Sequence, residues 1–151
     1  MLLRLKYPPT PEAAPQHAAL CVSAARVIHD VVLDYSIESL CLLDELIEQL
    51  RRQGLAVESL AEVLFAFGCY VGEVFVRRAG GRWCLAEDSP LGAEAGFALI
   101  IELAPQQYCN PVGKVFKRFE LGAEHDLPLF YTRFAPRLEA TLEAPAIDQL
   151  H

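Results

Sequence analysis

Apolar side chains recur along much of this chain at spacings of three and four residues, the period of helices that bury one face. Between residue 17 and about residue 33 the recurring set is Leu20, Ala24, Val27, Ile28 and Val31, which predicts a first helix with that stripe turned inward. Ser36 stands where an N-cap belongs, and IESLCLLDELIEQLRRQ follows it with Glu38 in the first turn, Arg51 and Arg52 in the last, and Gly54 just beyond. This second helix is predicted to bury Ile37, Leu40, Leu43, Leu46, Ile47 and Leu50 and to turn Asp44, Glu45 and Glu48 toward water. From about 58 to 78 the chain is apolar nearly all round, the mark of a helix in the middle of a domain. Gly68 and Gly72 share one face of it. Each costs about 1 kcal/mol of helix propensity relative to Ala, so another element is expected to approach closely there.

After Gly80-Gly81 the period changes. Residues 83–87 and 97–103 read as two short strands joined by the turn-rich EDSPLGAEAG, a small antiparallel hairpin. Asn110-Pro111 starts a helix with Val112, Val115, Phe116 and Phe119 on its buried side and Gly122 as its stop. A last helix is expected after Asp126, carrying Phe130, Phe134 and Leu138 inward. The first sixteen residues hold Pro8, Pro9, Pro11 and Pro15 and read as an extended arm that orders only by docking. The predicted fold is therefore α+β: one predominantly helical domain over 17–140, with about five helices and a hairpin, between an arm (1–16) and a frayed tail (141–151).

A chain of 151 residues fits one core, and 53% hydrophobic residues with 22% charged ones exclude intrinsic disorder. Thirteen basic against 20 acidic side chains give a net charge of −7, which argues against nucleic acid or anionic lipid as partner. Prolines break the N-terminal apolar run where a secretory signal would continue, and the apolar stretch 63–76 contains Glu73 and falls short of the about 20 residues a membrane span needs. Five scattered cysteines, Cys21, Cys41, Cys69, Cys84 and Cys109, in apolar surroundings read as reduced core thiols of a cytoplasmic protein. His17, His29, His125 and His151 lack ligand spacing, so no metal site and no cofactor is expected.

Two constellations hold candidate chemistry. Glu73 and Arg77 sit at i and i+4 on the central helix, with Glu62 three turns earlier on nearly the same face. Burial favours a neutral carboxyl and Arg77 an ionised one, and no second catalytic group is spaced to help, so the expected role is an ion pair tying the helix to the hairpin. Arg77, Arg78 and Arg82 surround the Gly-Gly turn, while Lys114, Lys117 and Arg118 lie on the later helix. If they meet they make one basic face for an anionic metabolite or an acidic partner surface; otherwise they neutralise the acidic side of helix two or point separately into water. AGGRW leaves a helix for a strand, the reverse of a phosphate loop, and neither GxSxG nor HExxH occurs. Cys69 reads as core, and the adjacent pairs His29-Asp30 and His125-Asp126 make no dyad.

The strings GCYVGEVFVRRAGGRW (68–83) and NPVGKVFKRFELG (110–122), with Phe130-Tyr131 after them and LDYSIESLCLLDELI (33–47) before, carry the order GxYxGExxxRxxGGxW then NPxxKVxKRxxxG. This order resembles small bacterial domains of unknown function, some met beside secretion or toxin loci. The resemblance implies a helical α+β fold, attaches no catalytic mechanism, and marks Tyr70, Glu73, Arg77, Trp83, Asn110, Lys114, Lys117 and Arg118 as a shared surface. The expectation drawn from the whole sequence is a cytoplasmic, non-enzymatic domain that binds another protein, as an immunity or accessory protein masking a basic cleft with Asp44, Glu45 and Glu48. The alternative is a binder or enzyme for a small anion, with a pocket between the central helix, the hairpin and the 114–118 helix. A self-associating homodimer is the third class.

Overall fold

The structure, a computed structural model, describes residues 3–135. The long apolar segment forms helix α3, Val57–Ala79, in which every residue from 64 to 75 is buried. By length and hydropathy this helix could cross a membrane, yet 72% of its most apolar window is buried inside the fold, which makes it the axis of a protein core. Gly80 ends it in the left-handed conformation that glycine adopts without a Cβ penalty.

Helix α1, Ala14–His29, lies against α3 through Ala14, His17, Ala18, Cys21 and Ala25. Short side chains at three- and four-residue spacing let the two backbones approach. The expected stripe is thus rotated: Leu20, Ala24 and Val31 are only partly buried, while Val27 and Ile28 are 83% and 71% exposed. The helix also begins inside the proline-rich arm, with Pro15 in its first turn. The rest of the arm, from residue 3, is docked. Leu3 and Leu5 pack on the core, the Arg4 N–H donates to Glu62 Oε1 (2.9 Å), and the His17 imidazole, edge-on to Tyr7 and Phe65, lies 2.9 Å from the Pro8 carbonyl.

Helix α2, Ser39–Arg52, starts three residues beyond Ser36, because a turn over 36–39 comes first and the Ser36 hydroxyl caps it by accepting from Ser39 N–H (3.1 Å). Leu40, Leu43, Leu46, Ile47 and Leu50 are buried as the pattern predicts; Ile37, outside the helix, is exposed. Helix α4, Pro111–Leu121, opens with the Asn110 side chain accepting from Gly113 N–H (2.9 Å) and buries Val112, Val115, Phe116 and Phe119. The described part of α5, residues 127–135, is capped by Asp126, whose Oδ1 accepts from Leu129 N–H (2.6 Å), and it buries Phe130 and half-buries Phe134. The expectations for Leu138 and the tail 141–151 fall outside the described residues.

The hairpin has a third strand. β1 (Arg82–Leu85), β2 (Leu99–Ala104) and β3 (Gln107–Cys109) pair antiparallel in that order, with Trp83 and Cys109 both opposite Ile101. β3 escapes the sequence pattern because it is three residues long and follows a tight turn in which Gln106 takes φ +68°. The sheet rests on α3, where a Cβ on Gly72 would collide with the Trp83 indole, while Gly68 admits Val112 of α4. Both glycines are therefore explained by close approach.

Candidate functional site

Four of the marked residues, with Arg78 beside them, form an internal strut. Trp83 Nε1 donates to Glu73 Oε2 (2.8 Å), and Glu73, only 4% exposed, places its other oxygen 3.4 Å from Arg77 Nε. The Arg77 guanidinium lies 3.5 Å over the ring of Tyr35, which stacks on Tyr70 at 4.9 Å. The Tyr70 hydroxyl accepts from Tyr35 N–H (2.8 Å) and sits 2.6 Å from Ser39 Oγ; burial pushes its pKa up. Arg78 Nε donates to the Tyr35 carbonyl (3.0 Å). This chain of contacts pins β1 and the 30–38 segment to α3. It corrects the expected surface: Tyr70, Glu73 and Trp83 are buried and satisfied, and Glu62, three turns earlier on α3, accepts from the arm. Tyr35 and Ser39 were not legible as members, since Tyr35 holds a left-handed backbone (φ +63°) that its residue type does not signal.

A second cluster corrects the acidic contact. Arg118, 3% exposed, reaches from α4 to α2: Nε and Nη2 bind the two oxygens of Asp44 (3.0 and 3.3 Å), and Nη1 binds Glu48 Oε1 (2.8 Å). Asp44 Oδ1 also accepts from Leu127 N–H (3.0 Å) and Glu48 Oε2 from Arg52 Nε (2.9 Å). Asp44 and Glu48 thus face α4 and α5 rather than water; only Glu45 is exposed. Arg118, with help from Arg52, holds the Glu48 carboxyl below the usual carboxylate range.

The six expected cations do not form one face. Arg77 and Arg78 serve Tyr35, Arg82 pairs with Glu102 on β2 (2.5 Å), Arg118 is internal, and Lys114 and Lys117 stand apart from these. The two lysines line a cleft of about 520 Å³ enclosed by the 86–98 connector, β3, α4 and α5. Arg133 of α5 joins them there, a residue the sequence analysis missed although its spacing from Phe130 sets it on the same side of the helix. Lys114 Nζ donates to His125 Nδ1 (3.1 Å); burial, then the charges of Arg133 and Lys117, lower its pKa. Asn110 shapes the cleft by donating Nδ2 to the Ala95 carbonyl (2.7 Å), which ties the connector to the start of α4.

Cys21, Cys69 and Cys109 are buried, and burial raises their thiol pKa values, so none is a nucleophile; Cys84 is half-buried, and Cys41 is exposed, contrary to the core expected of all five. Among the described residues no group of three or more His, Cys, Asp or Glu is gathered to hold a metal ion. Comparison of the chain with protein-family models, curated proteins and solved structures finds no match.

Proposed function

We propose that the protein is a non-enzymatic domain that binds another protein through the apolar face at the end of α1. The observation that carries this reading is the outward phase of that helix. Val27 and Ile28 are the most exposed large apolar residues among those described, and Val32 and Ile37 extend the face along the next ten residues. Solvent-facing apolar groups gathered in this way mark interaction surfaces, whereas single ones do not.

Charge defines the partner. Around these side chains stand the exposed carboxylates Asp30, Asp34 and Glu38, against Arg26, which is already paired with Asp30. The partner surface that fits is apolar at its centre and basic at its rim, so the masking role expected of an immunity or accessory protein moves from Asp44 and Glu48 to Asp34 and Glu38. A catalytic role for Glu73 has less support, since both its oxygens are engaged by Trp83 and Arg77. A cytoplasmic setting fits five free thiols.

The test is quantitative recovery of co-purifying protein from the cells of origin with tagged wild type, Val27→Ser/Ile28→Ser, Asp34→Lys/Glu38→Lys and the control Glu45→Lys. A stoichiometric partner kept by wild type and the control, and lost by both face variants at unchanged melting temperature, is expected. Retention by the face variants would refute the placement. Sedimentation of wild type at micromolar concentration should give a monomer, and a dimer that the Val27→Ser/Ile28→Ser change dissociates would assign the face to a second copy.

A further inference from the structure

The cleft at Lys114 lies away from the α1 face and belongs to no part of the strut. The geometry points to a ligand site here: a small organic anion sets its charged end against Lys114, Lys117 and Arg133 and lays a flat apolar body along Phe97 and Phe116. Three features of the cleft lead to this chemistry.

The first is positive charge without a paired carboxylate. Arg82 and Arg118 are each bound to a carboxylate at 3.0 Å or less. Among the described residues, Lys114, Lys117 and Arg133 form no ion pair with a carboxylate within 4.0 Å, and the close partner of Lys114 Nζ is His125 Nδ1, at 3.1 Å. Three like charges brought to one cleft of an acidic protein repel one another, and a bound anion removes that repulsion while it gains charge-assisted hydrogen bonds. Burial first, and then this repulsion from Arg133 and Lys117, lower the pKa of Lys114.

The second is shape. At about 520 Å³ the cleft falls in the range of small-molecule sites, roughly 300–1,000 Å³. Phe97 and Phe116, 4.7 Å apart and tilted by 35°, form one wall, and Phe130 stands beneath Lys114 at 5.6 Å. Flat apolar walls beside a cationic floor select a ligand with both parts. The third is that the carboxylates Glu94 and Glu120 also line the cleft. Their charges disfavour a polyanion spread along the cleft and favour a ligand with a single charged group.

Titration of the full-length protein with phenyl phosphate, followed by amide shifts in two-dimensional NMR, tests this. The amides of Gly113, Lys114 and Lys117 should move and saturate with a Kd on the order of 1 mM or tighter. Lys117→Gln, at an exposed position that leaves the fold intact, should weaken binding about tenfold, and Lys114→Gln/Lys117→Gln should abolish it. Arg82→Gln, on the sheet, should change nothing. Inorganic phosphate and benzyl alcohol, which carry one half of the ligand each, should bind at least about tenfold more weakly than phenyl phosphate. No saturation, saturation that Lys117→Gln leaves unchanged, or inorganic phosphate binding as tightly as the aryl ester would each overturn the assignment.

Discussion

At the scale of single residues, Arg118 shows what decides whether a charge is surface or structure. The same sequence that reads as a run of solvated cations places one guanidinium inside, because Asp44 and Glu48 meet it with both its edges. Removing Arg118 leaves Asp44 and Glu48 half-buried side by side, with only the Leu127 N–H and Arg52 to meet them, which costs more than the pair contributes. Arg118→Met should therefore lower unfolding stability by about 3 kcal/mol in urea titration, and a loss below about 1 kcal/mol would show that the carboxylates turn outward freely. A pH effect goes with it. Glu48 has a folded pKa below its ordinary value near 4.5, so its contribution is complete above that value and is lost as the pH falls through the folded one. Wild type should lose stability steeply on acidification below about pH 4.5, and Arg118→Met, lacking the linkage, less steeply when urea midpoints are compared from pH 6 to 3.

At the scale of elements, close approach outweighs propensity along α3. Replacing Gly72 by Ala gains about 1 kcal/mol of helix propensity, but the new methyl enters the Trp83 indole, and overpacking of this kind costs roughly 1–3 kcal/mol. Gly68→Ala is worse placed, since its Cβ would lie 2.5 Å from the Val112 Cα, a backbone atom that no rotamer change moves aside. Both variants should melt below wild type, with Gly68→Ala the lower; a rise in either melting temperature would contradict the packing. The same comparison explains what the sequence made legible. Helices α3 and α4 could be read because their signals are local: an apolar circumference, an Asn-Pro start, a glycine stop. The phase of α1 could not, because Ala14, Ala18, Cys21 and Ala25 recur as regularly as the larger stripe, and side-chain size against α3, not hydropathy, selects between them. The pairing of Arg118 with Asp44 spans 74 residues, and β3 is three residues long; neither leaves a periodic trace.

At the scale of the whole molecule, the sheet has no core of its own. Of its buried residues, Trp83, Leu99, Ile101, Leu103 and Cys109 belong to the same cluster as those of α1 to α5, Ile100 alone standing outside it, and its inner contacts are to α3 and α4. Sequence motifs marked Tyr70, Glu73, Arg77 and Trp83 together with Asn110, Lys114, Lys117 and Arg118 as one surface; residue type alone does not distinguish a shared surface from a strut, and the contacts through Tyr35 and Glu73 join only the first four. That strut has a consequence for unfolding. If it joins β1 to α3 as tightly as these distances imply, the sheet does not detach while the helices remain, and the domain unfolds in one step. Two probes report on the two parts: far-ultraviolet circular dichroism follows the helices, and the fluorescence of Trp83, the single tryptophan of the chain, follows β1 and its contact with Glu73. Their urea transitions should coincide in midpoint and slope. In Glu73→Ala, which takes away the acceptor of the indole N–H and the partner of Arg77, the fluorescence transition should move to lower urea, and the dichroism transition should move with it or lag behind according to how much of the coupling the strut carries. An early fluorescence transition in the wild-type protein would place the sheet outside the cooperative unit and refute the single-core account.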